Sequence, residues 1–489
     1  MKQSHEDRQL RRQNMMLNES VGRVIMRMAF PTIIAFLINS IYSLADTYFV
    51  SSLGTNATAA VSVNTSLDQI IMMAGSMLAV GANSYIARLL GAGDREKANR
   101  VLSTAFFLAA GIGTVFAVLG IAFMHPMIRV LGATPTCEQY AIEYATYVLL
   151  VAPFMATSFV MNQCLRAEGS AMLSMIGMGF GGILNCVLDP IFIFTLDLGV
   201  AGASMATAIS KLVSFGILIF PYLTHRSMLR IKVKLIQCSR DIIGQIVSVG
   251  SSSMFRSGLS VVAAVVLNNI AGGISDSVLA GIGVTTKVMM FPFGIVLGFG
   301  NGFQPVAGFN WGAKRFDRVR QSFRFAAWVA AGGGAVMGLL LFVFARQTIA
   351  LFTVGDAEMM YIGTLCIRLQ SIAMPIHAWV AVVNMFCAGL GNAKGALVLA
   401  TSRQGTCFLP IVHLMAYLWG ATGVAAVQAV ADGLTMFLAL PILRGMMRRV
   451  DAAENEHLWQ LGQGAPQAQE ADAPAVQPDA VPVLEDEQA

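Results

Sequence analysis

Twelve apolar stretches, each about long enough to cross a bilayer as a helix, dominate the chain. They run roughly over 25–50, 57–86, 101–124, 140–164, 172–196, 200–223, 245–271, 278–303, 323–345, 359–388, 396–418 and 422–445. About 20 apolar residues in a helix cross the hydrocarbon core, where every backbone polar group must be bonded internally. The chain is therefore expected to be a polytopic helical membrane protein. Only 12% of its residues are charged, against about 25% in soluble domains. The first 27 residues are polar and basic, with no small-residue cleavage site after a short apolar core, so no cleavable signal is expected.

The basic residues orient the chain. With the N-terminus in the cytoplasm, 25 of the 32 Lys and Arg residues fall in cytoplasmic segments and two, Arg129 and Arg346, in outside loops. The remaining five, Lys211, Arg256, Lys287, Arg368 and Arg403, fall within spans. This is the positive-inside pattern, and an odd number of crossings would scramble it. Both termini are expected in the cytoplasm. From Asp451 onward there are nine acids and no Lys or Arg, so residues 449–489 are expected to form a disordered acidic tail. The net charge of +5 thus hides +14 on the first 450 residues. That excess belongs to loops; it reports topology and implies no nucleic-acid partner. The seven cysteines form no metal spacing or disulfide framework and read as small buried hydrophobes.

The chain also repeats itself. Gly91-Ala92 recurs as Gly312-Ala313. Pro153, Asn162 and Gly169 recur as Pro375, Asn384 and Gly391, and Gly199 and Gly202 as Gly420 and Gly423, always 221 or 222 residues apart. Each half holds six spans, an even number, so both enter the membrane in the same direction, as parallel repeats. The expected fold is all-α: twelve transmembrane helices in two six-helix bundles related by a pseudo-two-fold along the membrane normal. Residues 1–24 form a cytoplasmic N-terminal segment, 25–223 the N-terminal bundle, 224–244 a basic cytoplasmic linker and 245–448 the C-terminal bundle. Two facing bundles leave a cleft between them, the layout that alternating access needs.

One charge interrupts the fifth span. Asp189 is the only charged residue between Met172 and Leu196. A carboxylate at membrane depth is costly unless paired, hydrated or protonated, so it marks a functional site by default. Pro190 frees the Cys186 carbonyl beside it, and Asn185 lies one turn earlier on the same helical face. An acid, an amide and a loosened carbonyl can hold a proton or a small cation. The alternative is a structural carboxylate bonded to a neighbouring helix.

Motifs along the chain resemble one family. They are Ala29-Phe30-Pro31, Asp46-Thr47-Tyr48-Phe49-Val50, Ala87-Arg88-Leu89-Leu90-Gly91-Ala92-Gly93-Asp94, Leu165-Arg166-Ala167-Glu168-Gly169, Leu188-Asp189-Pro190-Ile191 and Leu198-Gly199-Val200-Ala201-Gly202-Ala203. In this order the set resembles the bacterial branch of the multidrug and toxic compound extrusion (MATE) family, over about residues 20–448. The resemblance implies a secondary antiporter, not an enzyme, in the bacterial cell (inner) membrane. It would act without a cofactor, as a monomer in membrane lipid, exporting small lipophilic, often cationic substrates in exchange for H+ or Na+. Carried over residue by residue, the family's cation site falls on Asp46, Asn162, Asn185, Asp189 and Thr207. No resident metal is expected, Na+ at this site being the alternative to H+. The depths of Asp46, Asp189 and Thr207 below the outer ends of their spans agree within about one turn, whereas Asn162 falls near the inner end of span four.

Two carboxylates in one low-dielectric pocket resist simultaneous ionisation. Loading Asp46 and Asp189 with an ion would change their hydrogen bonds to Tyr42, Asn185 and Thr207. Pro31 gives span one a bend, either responsive to the charge on Asp46 or static. The C-terminal half departs from other branches of the family: span seven carries Arg256 and no acid. Arg256, Lys287, Arg368 and Arg403 face one intramembrane acid there, Asp432, which is expected to pair with Arg403; Asp68 and Lys211 could pair likewise. Phe154, Phe159, Met178, Met289, Met290 and Phe291 are candidates for an adaptable substrate cavity, the alternative being ordinary packing. His377 and His413 read as satisfied core residues. The competing function is a flippase for a lipid-linked oligosaccharide or other lipid-linked precursor, which needs a basic central cavity. A prenyl transferase would need Asp-rich Mg2+ motifs and a zinc peptidase a His-Glu-x-x-His pattern; the chain has neither.

Overall fold

The computed structural model describes residues 5–224, 226–353 and 356–463, and nearly all of them are helical. After α1 (His5–Asn18), the N-terminal half consists of α2 (Val21–Ser51), α3 (Thr55–Gly91), α4 (Arg95–Ala122), the short α5 (Met124–Val130), α6 (Glu138–Ala167), α7 (Ala171–Pro190) and α8 (Gly199–Leu223). The C-terminal half consists of α9 (Arg240–Gly272), α10 (Asp276–Gly312), α11 (Phe316–Ala350), α12 (Ala357–Gly389), α13 (Ala393–Thr401) and α14 (Phe408–Gln463). Side-chain oxygens start several helices by accepting a backbone N–H in the first turn. Asp94 takes Lys97 N–H (2.9 Å), Ser275 takes Val278 N–H (3.1 Å) and Asp356 takes Met359 N–H (2.9 Å).

The 56 residues of α14 would span about 84 Å, too much for one crossing. The helix is broken at Gly420, whose φ of 56° and ψ of −132° leave helical geometry. α13, a π-helical turn at Ser402–Thr406 and α14 up to Gly420 form the eleventh crossing, and the remainder of α14 the twelfth. The described residues thus make twelve membrane crossings, and the chain is a multi-pass membrane protein. α14 also runs further than expected. Residues 449–463 are helix, not unstructured tail, because Arg320 of α11 pairs with Asp451 (2.8 Å) and Glu454 (2.7 Å). The rest of the expected tail, 464–489, lies outside the described residues.

The repeat extends to backbone detail. Gly169 and Gly391 adopt φ of 79° and 77°, and Gly199 and Gly420 adopt 54° and 56°. Gly93, at 83°, is matched 221 residues later by Lys314, at 56°. Asn162 donates to the Ser174 carbonyl, twelve residues on (3.1 Å), and Asn384 does the same to Ala396 (2.8 Å). In each half these amides tie the fourth span to the start of the fifth.

The most extensive pairings between halves are α2 with α10 and α3 with α9. Since α2 corresponds to α9 and α3 to α10, these are one contact seen twice, as a two-fold requires. The helices cross closely at glycines. A Cβ on Gly81 would stand 2.0 Å from Ile246 O, and one on Gly250 only 1.9 Å from Met77 O. Gly91 and Gly312 likewise bring α3 and α10 together, with Arg88 O 1.9 Å from a Cβ on Gly312.

These approaches lie in the halves of the helices nearest the face where α2 begins and α14 ends, the terminal face of the described residues. One buried core, including Ile25, Ile86, Ile246 and Phe303, joins the bundles there. Toward the opposite face each bundle has a core of its own, with Val50, Leu67 and Ile128 in the N-terminal bundle and Val278, Ile362 and Val424 in the C-terminal one. The bundles are joined at the terminal face and separate beyond it.

Candidate functional site

Five helices of the N-terminal bundle converge in its half away from the terminal face. Asn185 and Asp189 lie one turn apart on α7, and the Asn185 amide donates to Asp189 Oδ1 (3.1 Å) and to Thr207 Oγ1 of α8 (3.2 Å). α7 ends at Pro190, and the chain continues as one π-helical turn, Ile191–Thr195, closed by Leu196 N–H on Ile191 O (2.9 Å). Such wide turns recur at functional sites. Asp189 is fully buried. Asp46 of α2 lies within electrostatic range of it. Asp68 of α3 interacts with Asp46, and Lys211 of α8 with both. Tyr144 of α6 lies within electrostatic range of Asp46 and Asp68 and near Thr207.

The cluster therefore holds three carboxylates and one ammonium. Asp46 Oδ1, Asp68 Oδ1, Asp189 Oδ2 and Asn185 Oδ1 are buried without a hydrogen-bond partner. Unpaired polar oxygens in a dry region are costly, and like charges crowded there add to the cost. A proton or a monovalent cation would relieve both. α2 stays helical through Pro31, where Thr32 returns a side-chain hydrogen bond to Met28 O (2.8 Å).

A cavity of about 80 Å³ adjoins the cluster. Its polar wall includes Asn39, Tyr42, Asn185, Thr207 and Lys211, and its apolar wall Met72, Met155, Phe159 and Met178. Of the six residues expected to line a substrate cavity, Phe159 and Met178 line this one. Phe154 does not: it packs edge-on against Phe215, ring centres 5.1 Å apart. Met289 is core, packed with Ile349, Ile367 and Met374. Met290 and Phe291 belong to α10 of the other bundle, outside the cavity wall. Apolar residues with identical composition serve cavity, core and lipid face, and only packing separates them. Asn162 reaches the cavity wall, but its amide is committed to the Ser174 carbonyl and its oxygen accepts from Arg166. It joins α6 to α7; it does not bond Asp189. Tyr144 and Asp68 were absent from the expected cation site.

In the C-terminal bundle the expected pair is present. Arg403 Nε donates to Asp432 Oδ1 at 2.6 Å, and the guanidinium lies 4.8 Å from the centre of the Phe293 ring. His377 is buried 3.9 Å from the same carboxylate. His413, expected in the core, is instead exposed, with Nδ1 on Leu409 O (2.9 Å). Lys287 and Arg368 are exposed too, Arg368 over the Phe342 ring. Arg403→Gln would strand the Asp432 charge in the bundle and should destabilise the protein by about 3–5 kcal/mol. A thermal melt of the purified variant checks this, and Arg403→Gln combined with Asp432→Asn should recover most of the loss.

The comparisons agree with this fold. The MatE family model matches residues 31–191 and again 253–411, one copy per bundle. The multidrug export protein MepA of Staphylococcus aureus (strain MSSA476) is 26% identical over 437 residues, covering 89% of this chain and 96% of that protein. An outward-facing multidrug resistance MATE family transporter of the MOP superfamily superposes with a TM-score of 0.84 at 25% identity, over 90% of this chain and 98% of the other. A MOP superfamily transporter from Pyrococcus furiosus Vc1 gives 0.83 at 25% identity, with the same coverage. Two bundles, two copies of one family model and a shared fold along both chains make the conclusion plain: the chain belongs to the MatE family of membrane transporters.

Proposed function

We propose that this protein exports lipophilic, often cationic compounds from a bacterial cell across its inner membrane, with both termini in the cytoplasm, in exchange for an inward-moving monovalent cation, H+ or Na+. It works as a monomer by alternating access between the bundles. The observation that carries this reading is the run of interacting acids in the N-terminal bundle, Asp189 with Asp46 and Asp46 with Asp68, with a carboxylate oxygen of each left unpartnered. An ion arriving from the open side settles there and alters the bonds among Asp189, Asn185 and Thr207. Those bonds tie α7 to α8, so occupancy changes how the bundle packs. The adjoining cavity, mostly apolar with a few polar groups at one side, has the composition of a site for an organic ligand. The name of the Staphylococcus relative, a multidrug export protein, supports the same substrate class.

The flippase alternative needs free positive charge in a central cavity. Arg403 is neutralised by Asp432 and Arg256 is bonded to Ser253, while Lys287 and Arg368 are exposed. Among the described residues these bases form no cluster on a shared cavity to match the cluster of acids, so the bases favour it less than the acids favour antiport. Efflux of ethidium from reconstituted vesicles, under a proton gradient and a sodium gradient imposed separately, tests the reading. One of the two gradients should accelerate efflux above the rate in protein-free vesicles. If neither does, the antiport reading falls.

A further inference from the structure

The acidic cluster carries a cation of its own. Lys211 lies one turn beyond Thr207 on α8 and lines the same cavity. Its ammonium donates to the Tyr42 hydroxyl at 3.3 Å and stands 5.1 Å from the centre of that ring. This is its one hydrogen bond among those described. The charged and titratable groups around the cluster are Tyr42 and Asp46 on α2, Asp68 on α3, Tyr144 on α6, and Cys186 and Asp189 on α7. Among the described ion pairs none ties Lys211 to a carboxylate, yet its charge acts on both Asp46 and Asp68. One oxygen on each of the three acids is buried and unpartnered. An ammonium beside acids with unused oxygens, on the wall of a cavity, is a tethered counter-ion and not a sealed structural pair.

We propose that Lys211 determines which ion drives transport: it supplies a permanent monovalent cation to the Asp46–Asp68–Asp189 cluster, so that the protein couples to H+ and rejects Na+. This rests on the antiport reading above. A sodium ion binds only where several oxygens close around a bare charge. With the lysine already present it would meet a like charge at short range, which at a typical protein dielectric weakens its binding on the order of 100-fold. A proton needs no such cage. It bonds to one carboxylate oxygen, and the resulting hydroxyl can donate to an unpartnered oxygen nearby. Lysine suits the role because its compact charge on a flexible stem can shift between Tyr42 and the acids as they load.

The test compares wild type with Lys211→Met and Lys211→Gln. Ethidium efflux by wild type should follow a proton gradient and ignore a sodium gradient, and the variants should gain a response to sodium. Thermal melts of purified protein in NaCl against KCl give a readout independent of transport. Sodium should leave the wild-type melting temperature unchanged and raise that of both variants. Sodium-driven efflux or sodium-specific stabilisation of wild type would overturn the proposal, as would variants that still ignore sodium in both assays. If neither variant folds, the wild-type melts decide alone: stabilisation by sodium refutes the proposal, and its absence supports it. Were wild type to respond to neither gradient, the antiport reading would fail while the melts still judged Lys211.

Discussion

Asp189→Asn is expected to abolish ion-driven export, reducing ethidium efflux to the rate of protein-free vesicles, while the purified protein melts no lower than wild type. The two halves of this expectation have one cause. The Asp189 carboxylate is fully buried, with Oδ1 held by Asn185 at 3.1 Å and Oδ2 without a partner. An amide has nearly the same shape and its oxygen can keep the Asn185 bond, so packing is preserved. The desolvated charge disappears, which should raise stability by about 1–3 kcal/mol, the usual cost of a buried unsatisfied group. The asparagine, however, neither takes up a proton nor offers charge to a cation. Loss of export with a raised or unchanged melting temperature is the signature of a group retained for function at the expense of stability. A variant that stopped exporting because it misfolded would melt lower, and a variant that still coupled export to a gradient would show that Asp189 is not the acceptor.

The parts of this design that could be read from the chain alone are those that physics writes locally or periodically. A bilayer demands about 20 apolar residues per crossing, so the spans were visible, apart from the extension of α14 past residue 448. The repeat was visible because left-handed backbone favours glycine, and Gly169 and Gly391 hold nearly equal positive φ. Asp189 stood out as a lone charge in an apolar run, and Asn185 followed from helical spacing. Tyr144 did not, and Asp68, legible as the lone charge of the second span, was not assigned to the site, for a physical reason. Only the packing of α3 and α6 against α2, α7 and α8 brings them to the cluster. Lys211 was legible as a possible partner of Asp68, but not as a neighbour of Tyr42 on a cavity wall. Asn162 stood out through the repeat, and in both halves the equivalent amide fastens the same turn, which the spacing alone did not reveal. Methionine and phenylalanine carry no local mark that separates a cavity wall from a core, so four of six such residues fell elsewhere.

The joined terminal face makes a second large effect testable. Gly250→Ala should drive the bundles apart there, although local helix propensity argues for stabilisation. Alanine in a helix interior is favoured over glycine by roughly 0.5–1 kcal/mol. At Gly250 the added Cβ would stand 1.9 Å from the Met77 carbonyl oxygen and 2.7 Å from its carbon. Those are backbone atoms of α3, which cannot rotate aside, so the helices must separate. Overpacking of this kind typically costs about 1–3 kcal/mol, and more where backbone must move. A conformation with the terminal face parted incurs none of that cost, so the balance between the two states should shift toward it by about 10- to 100-fold. Gly244, on the same helix, has no atom within 4 Å of its Cβ position, and Gly244→Ala should gain the propensity term alone. The readout is a disulfide between Ser76→Cys and Ser253→Cys in a background lacking the native cysteines, since the two hydroxyl oxygens are 3.4 Å apart. That bridge should form readily in the parent and with Gly244→Ala, and slowly or not at all with Gly250→Ala. Equal rates in all three would mean that the glycine contact does not hold the bundles together, and that closure at this face rests on the shared core around Ile246 and Phe303.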